Sequence, residues 1–179
     1  WKRPFEIELV NVHLAKDQNP HWLRIEHVGV SVRLLRLFGG NIALKRLRFY
    51  HPHILVDRNE KGEFLLGFGE TTPNQEYAFQ DIIPLLTFGE YHSSLGKLND
   101  VSKIEIIDAH VLIQDEKLNR TWEMPKTTFI LKRKTDGFHS ELTLQPQQEK
   151  GTLTFELTYS SQDSRLDAHV DFDHFSFKT

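Results

Sequence analysis

Apolar and polar residues alternate along most of this chain. Phe5, Ile7 and Leu9 fall on one side of "FEIEL", and Val28, Val30 and Val32 are in phase in "LRIEHVGVSV". In "GTLTFELTY", Leu153, Phe155, Leu157 and Tyr159 oppose Thr152, Thr154, Glu156 and Thr158. "RLDAHVDF" sets Leu166, Ala168, Val170 and Phe172 against Arg165, Asp167, His169 and Asp171. A period of two over so many segments predicts half-buried antiparallel strands. "KDQNP", "RNEKGE", "KTDG", "QPQQEKG" and "SSQDS" supply the turns. The strands near Phe5–His13 and Leu166–Phe172 are expected to be the edges of the sheet.

Two segments depart from the alternation. "RLLRLFGG" bunches leucines before a glycine pair, which predicts a short helical turn near 33–38. In "TTPNQEYAFQDIIPLLTF", Thr72 can cap a helix with Pro73 at its first position, and Ala78, Ile82 and Leu86 recur at helical spacing. That predicts one helix near 73–86, ended or kinked by Pro84.

A third irregularity occurs twice. In "KRLRFYHPHILVDRNE" the apolar phase is odd at Leu47 and Phe49 and even at Ile54 and Val56. "SKIEIIDAHVLIQDEK" repeats the flip 57 positions later (102 − 45 = 57), with Ile104 and Ile106 before it and Val111 and Ile113 after it. The internal repeat 45–60 / 102–117 therefore carries the same break in register in both copies. A β-bulge does this: it adds a residue, reverses the face that every later residue occupies and bends the strand. Proline is tolerated there because a ladder bond is already missing. Bulges are predicted near Tyr50–Pro52 and Ile107–Ala109, in one strongly bent sheet.

Composition narrows the function. The chain has 179 residues, a net charge near −3 and no cysteine. The charge argues against a nucleic-acid partner, and the absence of cysteine excludes disulfides and thiolate metal sites. No apolar run approaches the roughly 20 residues of a membrane span. The chain begins at Trp1, so it reads as a piece of a longer protein whose signal or anchor would lie upstream.

Against that pattern, "VSVRLLRLFGGNIALKRLRFYHPHILVDRNEKGEF" resembles the N-terminal region of the AsmA-like family: a strand, a Leu-rich turn ending in Gly, a strand, an x-P-x-I-x-L-x-R strand and an Asn/Asp-rich turn. "VSKIEIIDAHVLIQDEKLNRTWEMPKTTFIL", "FHSELTLQP" and "GTLTFELTY" are similar to the next segment of its YhdP-type members. The "YHPH" histidines and the loop from Gly67 to Glu76 depart from the family pattern. The resemblance implies a mainly β fold: one curved, bulged antiparallel sheet forming an open, repeating β-groove, with 1–179 as a single segment of it. It implies a Gram-negative envelope protein, anchored in the inner membrane by a helix and extending through the periplasm. There it would conduct phospholipids between inner and outer membranes, with no enzyme chemistry and no cofactor. A structural or chaperone-like scaffold assisting outer-membrane protein assembly is the alternative.

The residues support an apolar conduit on their own terms. Little in the chain can cover so many one-sided strands, and a helix of a dozen residues is only about 18 Å long. An open apolar surface holds an acyl chain at about 0.8 kcal/mol per buried CH₂ without any polar motif. Leu153, Phe155, Leu157, Leu166, Val170 and Phe172 are the expected lipid-binding residues, because no helix comes after them to cover their face. Other candidates read more simply as solvated strand faces: His51 with His53, the His169, Asp171 and Asp173 series, and the basic Lys45, Arg46 and Arg48. No metal site, glycine-rich phosphate loop or nucleophile elbow is expected.

Overall fold

The computed structural model describes residues 6–16, 19–32, 44–68, 77–78, 101–147 and 151–174. They form eleven strands of one sheet: β1 (Glu6–Lys16), β2 (Asn19–Val32), β3 (Leu44–Tyr50), β4 (His53–Arg58), β5 (Phe64–Phe68), β6 (Tyr77–Ala78), β7 (Lys103–Asp115), β8 (Arg120–Lys134), β9 (Gly137–Gln145), β10 (Thr152–Ser160) and β11 (Arg165–Asp173). The main path runs β1-β2-β3-β7-β8-β9-β10-β11, and the sheet is open, with β1 and β11 at its two ends as the alternation had suggested. Among the described residues no helix is long and apolar enough to cross a membrane.

Two expectations about helices need correction or lie elsewhere. The helix near 73–86 is not observed: Tyr77 and Ala78 are a strand paired with Leu66 and Leu65, and the rest of that span lies outside the described residues. Cap and proline signals are local and weak, and strand pairing overrides them. The helical turn near 33–38 also lies outside the described residues.

The sheet is not purely antiparallel, as had been expected. β7 runs parallel to β3 and then to β4, with Arg46 opposite Lys103, Tyr50 opposite Ile107, His53 opposite His110 and Arg58 opposite Asp115. Every pair is separated by 57 positions (103 − 46 = 57), so the two copies of the repeat lie side by side in register. The residue at the break in each copy has left-handed backbone: His51 at φ 50° and Asp108 at φ 52°. The β7–β8 register shifts on both sides of Ala109. The bulges thus stand where the phase flip put them. In β7 the apolar set passes from Ile104 and Ile106 to Ala109, Val111 and Ile113 without leaving its face.

The break extends across the sheet. Val10, His27, Tyr50 and Ile107 are successive neighbours in β1, β2, β3 and β7. One residue beyond that row, Asn11 is also left-handed, at φ 53°. The same line marks a fork. β2 pairs β3 only as far as His27 with Tyr50, whereas β4, past the break, takes β5 as its neighbour. The His51 N–H donates to the Ile107 carbonyl (2.9 Å) and the His110 N–H to the Pro52 carbonyl (3.0 Å), so β7 stays bonded on both sides of it. Ile25, Val28 and Val30 of β2 are buried near the fork, packed by Val12, Val32, Leu44, Leu47 and Phe49.

Candidate functional site

Residues directly opposite one another in neighbouring strands point to the same face of a sheet. Tracing the register from edge to edge gives one row: Leu9, Val28, Phe49, Ile106, Phe129, Leu142, Phe155 and Val170. All eight are apolar. Two residues along lies a second row of Ile7, Val30, Leu47, Ile104, Leu131, Ser140, Leu157 and Ala168, with one serine. An apolar floor therefore spans all eight strands of the main path. It is most buried at Val28 of β2 (5% exposed) and Leu131 of β8 (4%), and is open on the two outermost strands, where Leu9 is 42% and Val170 43% exposed.

The six residues expected from the sequence share this face. Leu153 lies opposite Phe172, Phe155 opposite Val170, Leu157 opposite Ala168, and Leu166 opposite Tyr159. Phe155, Leu166, Val170 and Phe172 are exposed, while Leu153 and Leu157 are half-buried. The sequence reading did not single out Phe129 and Leu142 of the central strands. Their alternation, in "TTFIL" and "SELTL", was the available signal, but their place in the row depends on register.

The opposite face carries charge. Arg48 is buried, and its Nε donates to Glu105 Oε2 (2.9 Å) while its Nη1 donates to Glu6 Oε1 (2.7 Å) and to the Tyr50 hydroxyl (3.2 Å). Lys103 donates to the other Glu105 oxygen, and Arg46 stands 3.5 Å from Glu105. Glu6 reaches Arg48 across β2 because Gly29 lies between them: a Cβ there would come within 2.5 Å of Glu6 Oε1. Burial alone would raise the Glu105 carboxyl, but the hydrogen bonds and charges of Lys103 and Arg48 outweigh it and hold it below the ordinary glutamate range. The basic cluster of the sequence reading is therefore divided: Arg48 is a buried structural ion, Arg46 borders it and Lys45 is exposed.

The histidines separate. His51 is exposed at the left-handed position, whereas His53 packs against its repeat counterpart His110, ring centroids 5.3 Å apart. His110 Nε2 also lies 2.7 Å from Glu123 Oε1. His169, Asp171 and Asp173 alternate with the apolar residues of exposed β11 and so face away from the apolar floor. Among the described residues, no three histidine, aspartate or glutamate side chains are grouped to hold a metal ion.

Comparisons with protein-family models, with curated proteins and with solved structures gave no match.

Proposed function

We propose that the apolar floor is a binding surface for phospholipid acyl chains, and that the chain is a groove-forming segment of a bridge-like envelope protein. In this reading the full-length protein is anchored in the inner membrane, spans the periplasm and conducts phospholipids toward the outer membrane, supporting outer-membrane biogenesis. The observation that carries it is the unbroken apolar row from Leu9 to Val170 on a sheet whose far face is a charged network. At about 25 cal/mol per Å² of apolar surface removed from water, a flat array of Leu, Val, Ile and Phe side chains retains an acyl chain and still lets it slide, since no single contact fixes its position. Apolar patches beyond a few hundred Å² on a protein surface mark a ligand or a partner.

Phe155→Asp and Val170→Asp test it. Both positions are partly open, so a carboxylate there stays hydrated and the fold survives, yet it repels an acyl chain because burying it unpaired is costly. Both variants are expected to keep a cooperative thermal transition within a few degrees of the parent and to lose crosslinking to a photoactivatable phospholipid. Undiminished crosslinking in the folded variants, or unfolding of both, refutes the reading. The scaffold alternative draws on the two open edges, β1 and β11. Native mass spectrometry separates the two: co-purified phospholipid favours the conduit, and a bound extended peptide favours the scaffold.

A further inference from the structure

β11 is an open edge of the sheet, and all nine of its residues are exposed. An edge strand presents a row of backbone N–H and C=O groups ready to pair with another chain, and exposed apolar side chains leave that row unguarded. Leu166 is 60% exposed, with Val170 and Phe172 exposed beside it.

The side chains of β11 decide which strand fits. From Arg165 to Asp171 it reads R-L-D-A-H-V-D. When a second copy runs antiparallel to the first, rotated about Ala168, Arg165 lies opposite Asp171 of the second copy, Leu166 opposite Val170, Asp167 opposite His169 and Ala168 opposite Ala168. Symmetry makes each unlike match occur twice. Opposite residues share a face, so apolar meets apolar on one face and acid meets base on the other. The neighbouring registers fail. Centring on His169 sets Asp167 against Asp171, and centring on Asp167 sets that acid against itself and Arg165 against His169. In the Ala168 register Asp173 comes opposite Asp163, but Asp163 belongs to the turn before the strand and Asp173 already pairs with His174. Within the single chain Arg165 reaches Asp167 of its own strand (2.8 Å), a pair between exposed groups that holds it only weakly. The other edge, β1, has no such match over Glu6–Val10, where both charged residues are acids.

We infer that β11 is a dimerisation edge: two copies of the chain pair antiparallel along it, about a two-fold axis at Ala168, and join their sheets into one. Such two-fold, self-complementary contacts are the commonest way in which soluble proteins associate. The apolar floor then runs on from one copy into the other, with Phe155 and Val170 followed by Leu166 and Tyr159 of the second copy. The inference does not depend on what the floor binds. One strand edge buries less than the roughly 1,200 Å² of a standard interface, so the dimer is weak and its population follows concentration.

Sedimentation of the chain over a concentration series is expected to show a monomer–dimer equilibrium. Arg165→Asp sets acid against acid and Asp171→Arg sets base against base, so each is expected to weaken the dimer about tenfold. Both positions are exposed, so the fold is retained. Mixing the two variants restores both charge pairs, and the mixture is expected to form a heterodimer with parental affinity. The chain has no cysteine, so Ala168→Cys reads the register directly. Opposite Cα atoms in an antiparallel pair stand about 4.5–5.5 Å apart, within the about 4.4–6.8 Å of a disulfide, and mild oxidation is expected to link the two copies. Val170→Cys lies about 14 Å from its mate, four residues along the strand, and is expected to stay unlinked. A parent that remains monomeric at its highest soluble concentration, single variants that dimerise as the parent does, a mixture that does not associate, or linkage at 170 in place of 168 each overturns the inference.

Discussion

Asp108 offers a test of the left-handed break that packing does not confound, because its side chain is exposed and its φ is 52°. An L-residue in this region carries about 1–2 kcal/mol of strain, least for Asp and Asn and most for β-branched residues. Asp108→Val therefore adds about 1–2 kcal/mol of destabilisation. Asp108→Gly relieves the strain but loses about 0.5–1 kcal/mol to unfolded-chain entropy, so it comes out near neutral. The expected gap between the variants is about 2 kcal/mol in favour of glycine. At an ordinary strand position the order is reversed, since valine outperforms glycine by up to about 1 kcal/mol. Gln114, exposed further along β7, is that control. Urea unfolding of all four variants measures both gaps, read as shifts in midpoint at constant slope. A gap of about 2 kcal/mol also moves the thermal midpoint by about 4–8 °C in a chain of this size. If Val matches or exceeds Gly at 108 as it does at 114, the break is not a backbone requirement and the bulge account of the phase flip is wrong.

Two further outcomes concern the polar face and a turn. Glu105 titrates below its unfolded-state value, so its stabilising contribution is complete above about pH 4.3 and is lost as pH falls through the lower folded value; Glu105→Gln should cost about 3 kcal/mol at neutral pH, with the gap to the parent closing as the carboxyl protonates, and parallel stability curves would contradict this. A Cβ on Gly137 would overlap the Tyr159 carbonyl oxygen, so Gly137→Ala should lower stability by about 1–3 kcal/mol and speed amide exchange at the start of β9 and the end of β10; an unchanged melting curve would mean the turn relaxes freely.

Where a strand declares itself by its own residues, the sequence was enough. Leu153–Tyr159 falls within β10 and Leu166–Phe172 within β11, because each alternates cleanly between short turns. The repeated flip located His51 and Asp108 for the same reason: a left-handed residue changes parity, and parity is visible in one dimension. Adjacency is not. Nothing in "KRLRFY" and "SKIEII" says that they pair with each other, still less in parallel, since that depends on how the intervening chain returns. Burial of charge was equally hidden. Arg48 and Lys45 look alike in a string of residues, and only the gap at Gly29 and the reach of Glu6 make Arg48 an interior ion. The six residues singled out from the sequence form only one flank of a wider apolar face for the same reason. Its outer hairpin could be read locally, but its continuation through Leu142, Phe129 and Ile106 could not.

The parallel seam between the two repeat copies also bears on how the chain finds its fold. β1, β2 and β3 are consecutive antiparallel neighbours, and so are β7 through β11. Each such meander is assembled from contacts between near positions, like those across the turn at 116–119 that joins β7 to β8. The seam instead joins residues 57 apart (103 − 46 = 57). Closing that loop costs about 2 kcal/mol more entropy than closing a four-residue turn, by the logarithmic dependence on length. Non-local parallel pairing is slow for this reason. The two meanders are therefore expected to form early and separately, with the rate set by their docking along β3, β4 and β7. Substitutions in the interior of β9 or β10 should then slow folding, whereas those on the seam, such as at Leu47 or Ile104, should act mainly by speeding its opening.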